Sequence, residues 1–571
     1  MLGLRLRLRQ PTPAGNARVG VLERGTAWAF ILLGILLRIG YSFHHEINTD
    51  EPQHLHVTWS WTQGLVAYRD VFDNHSPLFS MVFAPMLAGF KERPDIVACM
   101  RLAMIPLTIV TLWAIGLLAR RLFGLRAALW TVAIAGLQPD FVQKGVEYRA
   151  DVLWMALWIS SLAVLVCGRP SRTRGFAGGL LLGAAFATSM KTSILAVSLV
   201  FAVIATLVVM RARLLQQDRF RILGIVCAVS LGSLVVPVVM AGFFAVERAW
   251  PALVYGVILH NYVPGLGKWA SDPWLPLLLI PAIPPLLWCA RVIVRTASTR
   301  QLGAARSTLF LTTTFYWLGV QTFWPLVTRQ DWLPFVPMAS ALAVPAVLGL
   351  LRVPRSRRGT ADAWSKWSWM TLAVVVLIEI AALTTLEPVW KDYTLTQRIA
   401  MSELLRLTRP NEPVVDVRGE AIYRHRPTYA AYEMVTLARI QRGALRDEIP
   451  ERAIATGAAV AYRDLDEWPP RGRQFLNEHY IPVGQWRVLG QSLARMPGVA
   501  GDTCKFEIVI AQRYTIVCGG GNARGSLDGA PFTGPRVLQP GPHRYCAARN
   551  ETPIAVVWAT AIERGFAPNI R

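Results

Sequence analysis

The sequence predicts an α-helical polytopic membrane protein with about eleven transmembrane helices and a soluble C-terminal domain of α/β plus β-rich character. Three observations lead to this fold class. Of the 571 residues, 53% are hydrophobic and the mean hydropathy is +0.37, which is too apolar for one soluble fold of this length. Apolar runs recur along the first two thirds of the chain. The formal charge of +23 lies mainly between those runs, so the basic residues indicate loops at a membrane surface and no nucleic-acid partner.

Each candidate span is an apolar run near the roughly 20 residues that a helix needs to cross ~30 Å of hydrocarbon. These runs lie at 27–43, 98–118, 127–141, 152–167, 176–188, 193–210, 222–244, 274–289, 308–325, 333–350 and 367–384. They define a transmembrane region over 27–384, between a basic N-terminus at 1–26 and a soluble domain at 385–571. One more apolar segment, 77–90, would invert the orientation of all later spans if it crossed the membrane. We interpret it as a helix that lies along the interface.

The distribution of Lys and Arg decides that interpretation. With 77–90 outside the bilayer, one set of loops holds 24 Lys and Arg in 87 residues, and the opposite set holds 9 in 111. Because basic loops stay in the cytoplasm, the N-terminus is predicted to be cytoplasmic. The outer loops 44–97 and 138–151 and the C-terminal domain are then periplasmic or extracellular. We expect a multi-pass protein of the cell membrane, the inner membrane in a bacterium.

The C-terminal domain mixes acidic and basic residues with short apolar runs. Pro413 to Val417 and Ala458 to Tyr462 indicate buried strands, with helical patterns between them. The alternation over Phe506 to Val517 predicts a β-hairpin, and Leu527-Asp528-Gly529 predicts a turn. An α/β part followed by a small β-rich module fits these patterns.

The seven cysteines form no metal-binding pattern, because none has a CxxC or Cys/His spacing. Three of them, Cys504, Cys518 and Cys546, lie in the C-terminal domain, where one disulfide could form in an oxidising compartment.

Ionisable residues outside the basic loops gather at the predicted outer face. The first outer loop contains Asp-Glu-Pro-Gln-His-Leu-His from Asp50 and Asp-Asn-His-Ser-Pro from Asp73, and the second contains Glu-Tyr-Arg-Ala-Asp from Glu147. The third is a short turn with Lys191, and Arg101 lies near the outer end of its span. Carboxylates and cations are therefore predicted to converge at one interface.

These residue types suit group transfer from a phosphate-linked donor. A carboxylate such as Asp50 can take a proton from a hydroxyl. The cations Lys191, Arg149 and Arg101 can stabilise a departing phosphate. Simpler interpretations stay open: Asp50 could be a solvated loop acid, and Lys191 could extend along lipid to reach the interface. His54 and His56 are two residues apart, a spacing that does not favour a metal pair on a helix.

The order of these motifs resembles that of the GT-C glycosyltransferases, in particular the branch of protein O-mannosyltransferases and aminoarabinose transferases (glycosyltransferase family 39 type). The resemblance covers roughly residues 25–350, and the first-loop block is its most specific part. It implies a polyprenyl-phosphate-linked sugar as donor, a glycan, lipid or protein as acceptor, and membrane lipid as a partner.

Residue by residue, the resemblance implies a catalytic role for Asp50 with Glu51 beside it. The segment Asp73 to Pro77 occupies the position of a first-loop acid/base element, with Asn74 and His75 where relatives can carry a Lys. The aromatic-Leu-Pro segment at Trp332 resembles the family's segment near the lipid carrier. We expect a divalent cation, Mg²⁺ or Mn²⁺, to be shared by Asp50 and Asp151 if one is used. The expected substrate-binding residues are Asp151, Arg149, Lys191, Arg101, Asp73, His75 and Glu147.

Two alternatives from other classes use the same residues. A transporter or flippase of a lipid-linked sugar would also place acids and cations in a cavity, but such folds show broken helix pairs and inverted repeats. Neither feature is apparent in this sequence. A non-catalytic surface receptor would leave the acidic loop incidental. The enzyme is favoured because the charges gather at one face.

Overall fold

The computed structural model describes residues 19–209, 219–266, 290, 297–350, 361–493, 503–518, 521–548 and 553–569. The first part of the chain is a helical bundle, and the last part is a domain with two sheets. The bundle helices are α1 (Val21–His44), α2 (Asp50–Thr62), α3 (Leu78–Ala88), α4 (Ile96–Leu102), α5 (Met104–Phe123), α6 (Leu125–Leu137), α7 (Pro139–Gln143), α8 (Ala150–Val166), α9 (Arg172–Thr188), α10 (Thr192–Val209), α11 (Arg219–Val246), α12 (Trp250–Val254), α13 (Arg300–Thr322), α14 (Phe335–Leu350) and α15 (Ala361–Leu386).

Every predicted span falls on helices of the bundle, except 274–289, which lies outside the described residues. Among the described residues, four helical stretches are long and apolar enough to cross a membrane: Val21–His44, Ile96–Phe123, Phe220–Val246 and Ser368–Leu386. Several shorter apolar helices accompany them. These features identify a multi-pass membrane protein, while the number of crossings and their orientation stay predictions.

The segment at 77–90 forms the short helix α3. Its 11 residues extend only ~16 Å at 1.5 Å per residue, about half of the hydrocarbon thickness. The helix packs against α2. This length supports the interpretation that α3 does not cross the membrane.

Glycines bring α9 and α11 into close contact. A Cβ atom built on Gly179 would lie 2.1 Å from the carbonyl oxygen of Val229, and one on Gly183 would lie 2.4 Å from that of Ser233. From the opposite helix, a Cβ on Gly232 would lie 2.2 Å from the carbonyl oxygen of Phe176. Small residues at four-residue spacing let membrane helices approach backbone to backbone. The two helices therefore pack through their glycine faces.

The C-terminal domain follows α15. Its helices are α16 (Leu395–Leu407), α17 (Met434–Gln441), α18 (Ile449–Thr456), α19 (Pro470–His479) and α20 (Ala559–Glu563). Its strands are β1 (Val414–Val415), β2 (Val460–Tyr462), β3 (Tyr480–Val483), β4 (Trp486–Leu493), β5 (Thr503–Ile508), β6 (Gln512–Cys518), β7 (Gly521–Asn522), β8 (Gly525–Leu527), β9 (Ala530–Phe532), β10 (Arg536–Leu538), β11 (Gly541–Ala547) and β12 (Ile554–Trp558).

Two sheets organise these strands. The larger sheet has the order β1-β2-β4-β12-β6-β10, with β3 paired to β4 and β7 paired to β6. The smaller sheet has the order β5-β11-β8-β9. The predicted buried strands are confirmed as β1 and β2, which pair in parallel. The predicted turn is also confirmed: Asp528 and Gly529 have φ values of 54° and 81° and join β8 to β9.

The hairpin predicted over Phe506 to Val517 is wrong. Its two halves are the strands β5 and β6, but β5 pairs with β11 in the smaller sheet, whereas β6 pairs with β12, β10 and β7 in the larger one. Alternation of apolar and polar residues predicts that each segment is a strand. It carries no information about the partner strand, and here the chain changes sheets between the two.

The C-terminal domain packs directly on the outer loops of the bundle. The guanidinium of Arg424 is buried and lies 2.8 Å from Glu92 Oε1. His260 Nε2 lies 2.9 Å from Glu433 Oε1 at the start of α17. His56 Nδ1 on α2 lies 3.0 Å from the carbonyl oxygen of Ile422. The bundle and the domain therefore share a polar interface next to α2.

Candidate active site

The helix α2 begins with two acids, Asp50 and Glu51, at the end where the helix dipole favours negative charge. Successive residues of an α-helix point about 100° apart, so the two carboxylates face different surroundings. Glu51 is fully buried, whereas 30% of the Asp50 side chain is exposed. Of the two neighbours, Asp50 is the one that a ligand can reach.

Glu51 is held on all sides by protein groups. Arg101 donates from Nε to Glu51 Oε2 at 2.7 Å, and its Nη2 lies 2.5 Å from Oε1. The backbone N–H groups of Asn48 and Tyr148 donate to the same carboxylate at 3.0 and 2.8 Å. Arg101 also donates to the carbonyl oxygens of His45 and Glu46 and is fully buried. We infer that Glu51 and Arg101 position the outer loop, which differs from the catalytic and phosphate-binding roles expected from the sequence.

Asp50 is the first member of a series of alternating charges. Arg149 Nη1 lies 2.6 Å from Asp50 Oδ2, and Arg149 Nε lies 3.1 Å from Asp151 Oδ2. Lys191 Nζ lies 2.9 Å from Asp151 Oδ1 and 2.6 Å from Asp331 Oδ1. We call this set of five side chains the ionic chain. Because Lys191 is held by two carboxylates and its side chain is 19% exposed, extension along lipid does not account for its position.

The environment keeps Asp50 ionised. Burial by itself would raise the pKa of the carboxyl group, but the positive charge of Arg149, followed by the effects of His75 and His54, lowers it to about 2. Asp50 therefore carries a negative charge over the whole physiological pH range.

Two histidines lie beside Asp50. His75 Nδ1 is 3.1 Å from Asp73 Oδ1, and its ring centroid is 4.3 Å from that of His54. Burial lowers the pKa of His75, but the hydrogen bond and the charge of Asp73 outweigh it, so the pKa is raised. Burial and the neighbouring His75 hold the pKa of His54 well below its usual range. The surroundings of His75 thus favour its protonated form, whereas those of His54 favour the neutral ring.

Glu147 belongs to a second, fully buried group behind the ionic chain. Its carboxylate accepts from Lys144 Nζ at 2.6 Å and from Gln330 Nε2 at 2.7 Å, and it lies 3.5 Å from His45 Nε2. These contacts connect the second outer loop with the segment before α14. Glu147 therefore supports the site instead of facing a ligand.

Two residues near the site were not predicted from the sequence. Asp331 joins the ionic chain through Lys191 and caps the short helix Arg329–Trp332, where the backbone N–H of Thr328 donates to it at 2.7 Å. An acid directly before the aromatic-Leu-Pro segment was the available signal. Arg418 comes from the C-terminal domain, and its charge contributes to the lowered pKa of Asp50. No local pattern marked it.

The residues present do not fit a shared divalent cation. Arg149 lies between Asp50 and Asp151 and is ion-paired with both, so the guanidinium takes the place that a bridging metal would need. In the described part of the chain there is no group of three or more His, Cys, Asp or Glu residues suited to a metal ion.

Comparisons with known proteins show what this fold resembles. Residues 74–240 match the family model described as dolichyl-phosphate-mannose-protein mannosyltransferase. The apo structure of ArnT from Cupriavidus metallidurans aligns with a TM-score of 0.55 and 16% identity, covering 81% of this chain and 97% of that chain. Over 81% of its length, the chain therefore shares the fold of ArnT. The structure of ArnT bound to undecaprenyl phosphate aligns with a TM-score of 0.54 and 14% identity, covering 81% and 98%. No curated protein matched the sequence.

The match to the mannosyltransferase family model over residues 74–240 and the fold shared with ArnT support the resemblance to the GT-C glycosyltransferases. The matched segment contains Arg149, Asp151 and Lys191. Asp50, Asp331 and Arg418 lie outside it, so their roles rest on geometry.

Proposed function

We propose that this chain is a GT-C glycosyltransferase. It moves a sugar from a polyprenyl-phosphate donor to an acceptor hydroxyl at the outer face of the membrane, with Asp50 as general base. One observation carries the choice of Asp50. The side chains of the other two carboxylates in the ionic chain, Asp151 and Asp331, are at most 6% exposed, whereas that of Asp50 is 30% exposed. Asp50 is therefore the carboxylate of this set that an acceptor can approach.

The donor class is supported by the relatives. The matching family is described by its use of dolichyl-phosphate-mannose, and ArnT has a structure with undecaprenyl phosphate bound. Both names contain a long lipid attached to phosphate. A donor of this kind places its head group at the membrane surface, at the depth predicted for the outer loops. The acceptor is proposed more broadly, as a glycan, a lipid or a protein.

In the proposed reaction, an acceptor hydroxyl donates its proton to Asp50 while its oxygen attacks the anomeric carbon of the donor sugar. The bond between that carbon and the phosphate oxygen breaks, and the lipid phosphate leaves with the bonding electron pair. Asp50 then releases the proton to water. A single displacement of this kind inverts the anomeric centre.

The low pKa of Asp50 has a consequence for this mechanism. A base works best when its pKa lies near the working pH, and a pKa of about 2 makes Asp50 a weak base in the unliganded protein. Arg149 is the cation that lowers it most. A donor phosphate bound beside Asp50 brings negative charge, which raises the pKa of the carboxyl group and makes Asp50 more basic. Donor binding would thereby prepare Asp50 for the acceptor.

The test is Asp50→Asn, which keeps the size of the side chain but removes the basic oxygen. We expect transfer to fall by about 10²–10⁴, the usual contribution of a general base, with an unchanged thermal unfolding temperature. The assay uses the purified full-length protein in detergent with a panel of polyprenyl-phosphate sugars, and sugar transfer to acceptor is measured by mass spectrometry.

Asp70→Asn is the matched control, because Asp70 lies in the same outer loop and pairs with the exposed Arg69. It should keep wild-type activity. Wild-type rates from the Asp50→Asn protein would show that Asp50 is not the base. If the wild-type protein transfers no sugar from any donor in the panel, the donor class is wrong.

A further inference from the structure

The ionic chain by itself does not attract an anionic donor. Its three carboxylates outnumber its two cations, so its net charge is negative. Arg149 is held by Asp50 and Asp151, and Lys191 is held by Asp151 and Asp331. Arg101 is fully buried against Glu51. Each cation predicted from the sequence to meet the donor phosphate is therefore already neutralised by protein carboxylates.

A loop of the C-terminal domain brings another cation, Arg418, to the N-terminal end of α2. Gly419 packs against the first two turns of α2, where an added Cβ would lie 2.8 Å from His56 Cβ, 3.0 Å from the carbonyl oxygen of Pro52 and 3.2 Å from Gln53 Cα. Its φ of 136° is a conformation that favours glycine. Only a glycine lets the loop approach α2 so closely. The preceding residue, Arg418, is thereby held near the helix end that carries Asp50.

The guanidinium of Arg418 is weakly engaged compared with the other cations. Its ion pair among the described residues is one contact of 3.4 Å from Nη1 to Glu467 Oε2. The Arg418 side chain is 15% exposed and that of Glu467 is 29% exposed. The positive charge of Arg418 also acts on Asp50. Burial raises the pKa of the Asp50 carboxyl group, and Arg418 is among the groups that lower it, after Arg149, His75 and His54.

We propose that Arg418 is a substrate-binding residue, which receives the anionic phosphate of the lipid-linked donor beside Asp50. This inference rests on the proposed function and deepens it. An Arg–phosphate pair can form two parallel charge-assisted hydrogen bonds, which are stronger than the single 3.4 Å contact with Glu467. The phosphate therefore displaces Glu467 from the guanidinium. The C-terminal domain then completes the donor site of the membrane domain.

The first experiment compares Arg418→Ala and Arg418→Lys in the purified full-length protein. The probe for binding is undecaprenyl phosphate, and the same variants are assayed for sugar transfer. Hydrogen bonds to charged groups contribute about 1.5–3 kcal/mol, so we expect Arg418→Ala to raise the Kd for the probe and the KM for the donor roughly 10- to 100-fold. Arg418→Lys keeps a point charge and should give intermediate values. The thermal unfolding temperature should stay the same.

Three further variants separate binding from folding. Arg452→Ala removes an exposed arginine that pairs with Glu448 on α18, and it should match the wild type. Glu467→Gln removes the competing carboxylate, and it should lower the Kd for undecaprenyl phosphate. Gly419→Ala keeps the charge of Arg418 but pushes the loop away from α2, and it should weaken binding.

The outcomes distinguish this inference from the function on which it rests. If the wild type transfers sugar and Arg418→Ala keeps the wild-type Kd and KM, Arg418 does not bind the donor and the proposed function stands. A fall in kcat with Kd and KM unchanged also overturns the inference. If the wild type neither binds undecaprenyl phosphate nor transfers sugar, the proposed function and the inference are both wrong.

Discussion

Asp50 and Glu51 are chemically similar neighbours with opposite surroundings. The resemblance implied a catalytic position for both, with Asp50 as the general base and Glu51 as its neighbour. The helical rotation between them buries the Glu51 side chain against Arg101. The Asp50 side chain, beside Arg149, stays partly exposed to solvent. A carboxylate paired inside the protein fixes geometry, whereas an accessible one can exchange a proton with a ligand. The difference in role therefore follows from one step along the helix.

The first residue-scale prediction concerns the pH dependence of Asp50. Its pKa of about 2 means that its protonation should not limit kcat/KM between pH 7 and pH 4. In Arg149→Gln the main charge that lowers this pKa is lost, so the pKa rises and Asp50 becomes protonated at higher pH. We expect the acid limb of kcat/KM for the residual activity to move up by roughly 1–3 pH units.

The measurement is a pH–rate profile of the wild type and the Arg149→Gln protein in the same detergent. Arg69→Gln is the matched control, because Arg69 lies in the same outer loop and pairs with Asp70 and Glu247. Its acid limb should coincide with that of the wild type. An acid limb that stays in place in Arg149→Gln would mean that Arg149 does not set the protonation of Asp50.

At the scale of elements, the contact between α9 and α11 depends on glycines that were not predicted from the sequence to pack together. In Gly179→Ala the new Cβ would meet the backbone oxygen of Val229, which cannot rotate away as a side chain could. We expect a loss of about 1–3 kcal/mol, the usual cost of overpacking, seen as a lower thermal unfolding temperature in detergent.

Gly242→Ala is the matched control on α11, because a Cβ there meets nothing within 4 Å. This variant should unfold at or slightly above the wild-type temperature, since alanine favours helix more than glycine does. Equal unfolding temperatures for the two alanine variants would contradict the glycine packing of α9 on α11.

At the scale of the whole molecule, the orientation in the membrane is the prediction that places the site. Reporter fusions after Arg121 and after Arg174 should report the cytoplasm, and a fusion after Gly145 should report the outside. The reason is the excess of Lys and Arg in one set of loops. An outside signal after Arg174 would contradict the model of topology and separate Lys191 from the outer loops that carry Asp50.

The structure also shows that the C-terminal domain contacts the helical bundle next to the site, which the sequence did not predict. No motif in the C-terminal domain indicated a chemical role. In the structure, however, its loop at Gly419 contacts α2, and the charge of Arg418 contributes to the lowered pKa of Asp50. The β-rich module was predicted in type, while the division of its strands between two sheets was not.

The sequence by itself determined the positions of the helices, the short length of α3, the strands β1 and β2, and most of the loop residues that meet at the site. Hydropathy, periodicity and motif spacing are local properties, so a single chain displays them without a structure. Only the tertiary structure decided which partner each of these residues has. Tertiary packing buries Glu51 and pairs Arg149 and Lys191 with carboxylates. It places the two strands of the expected hairpin in different sheets, and it brings Asp331 and Arg418 to the site. Contacts between residues far apart along the chain depend on how helices and domains pack, and no local pattern records that packing.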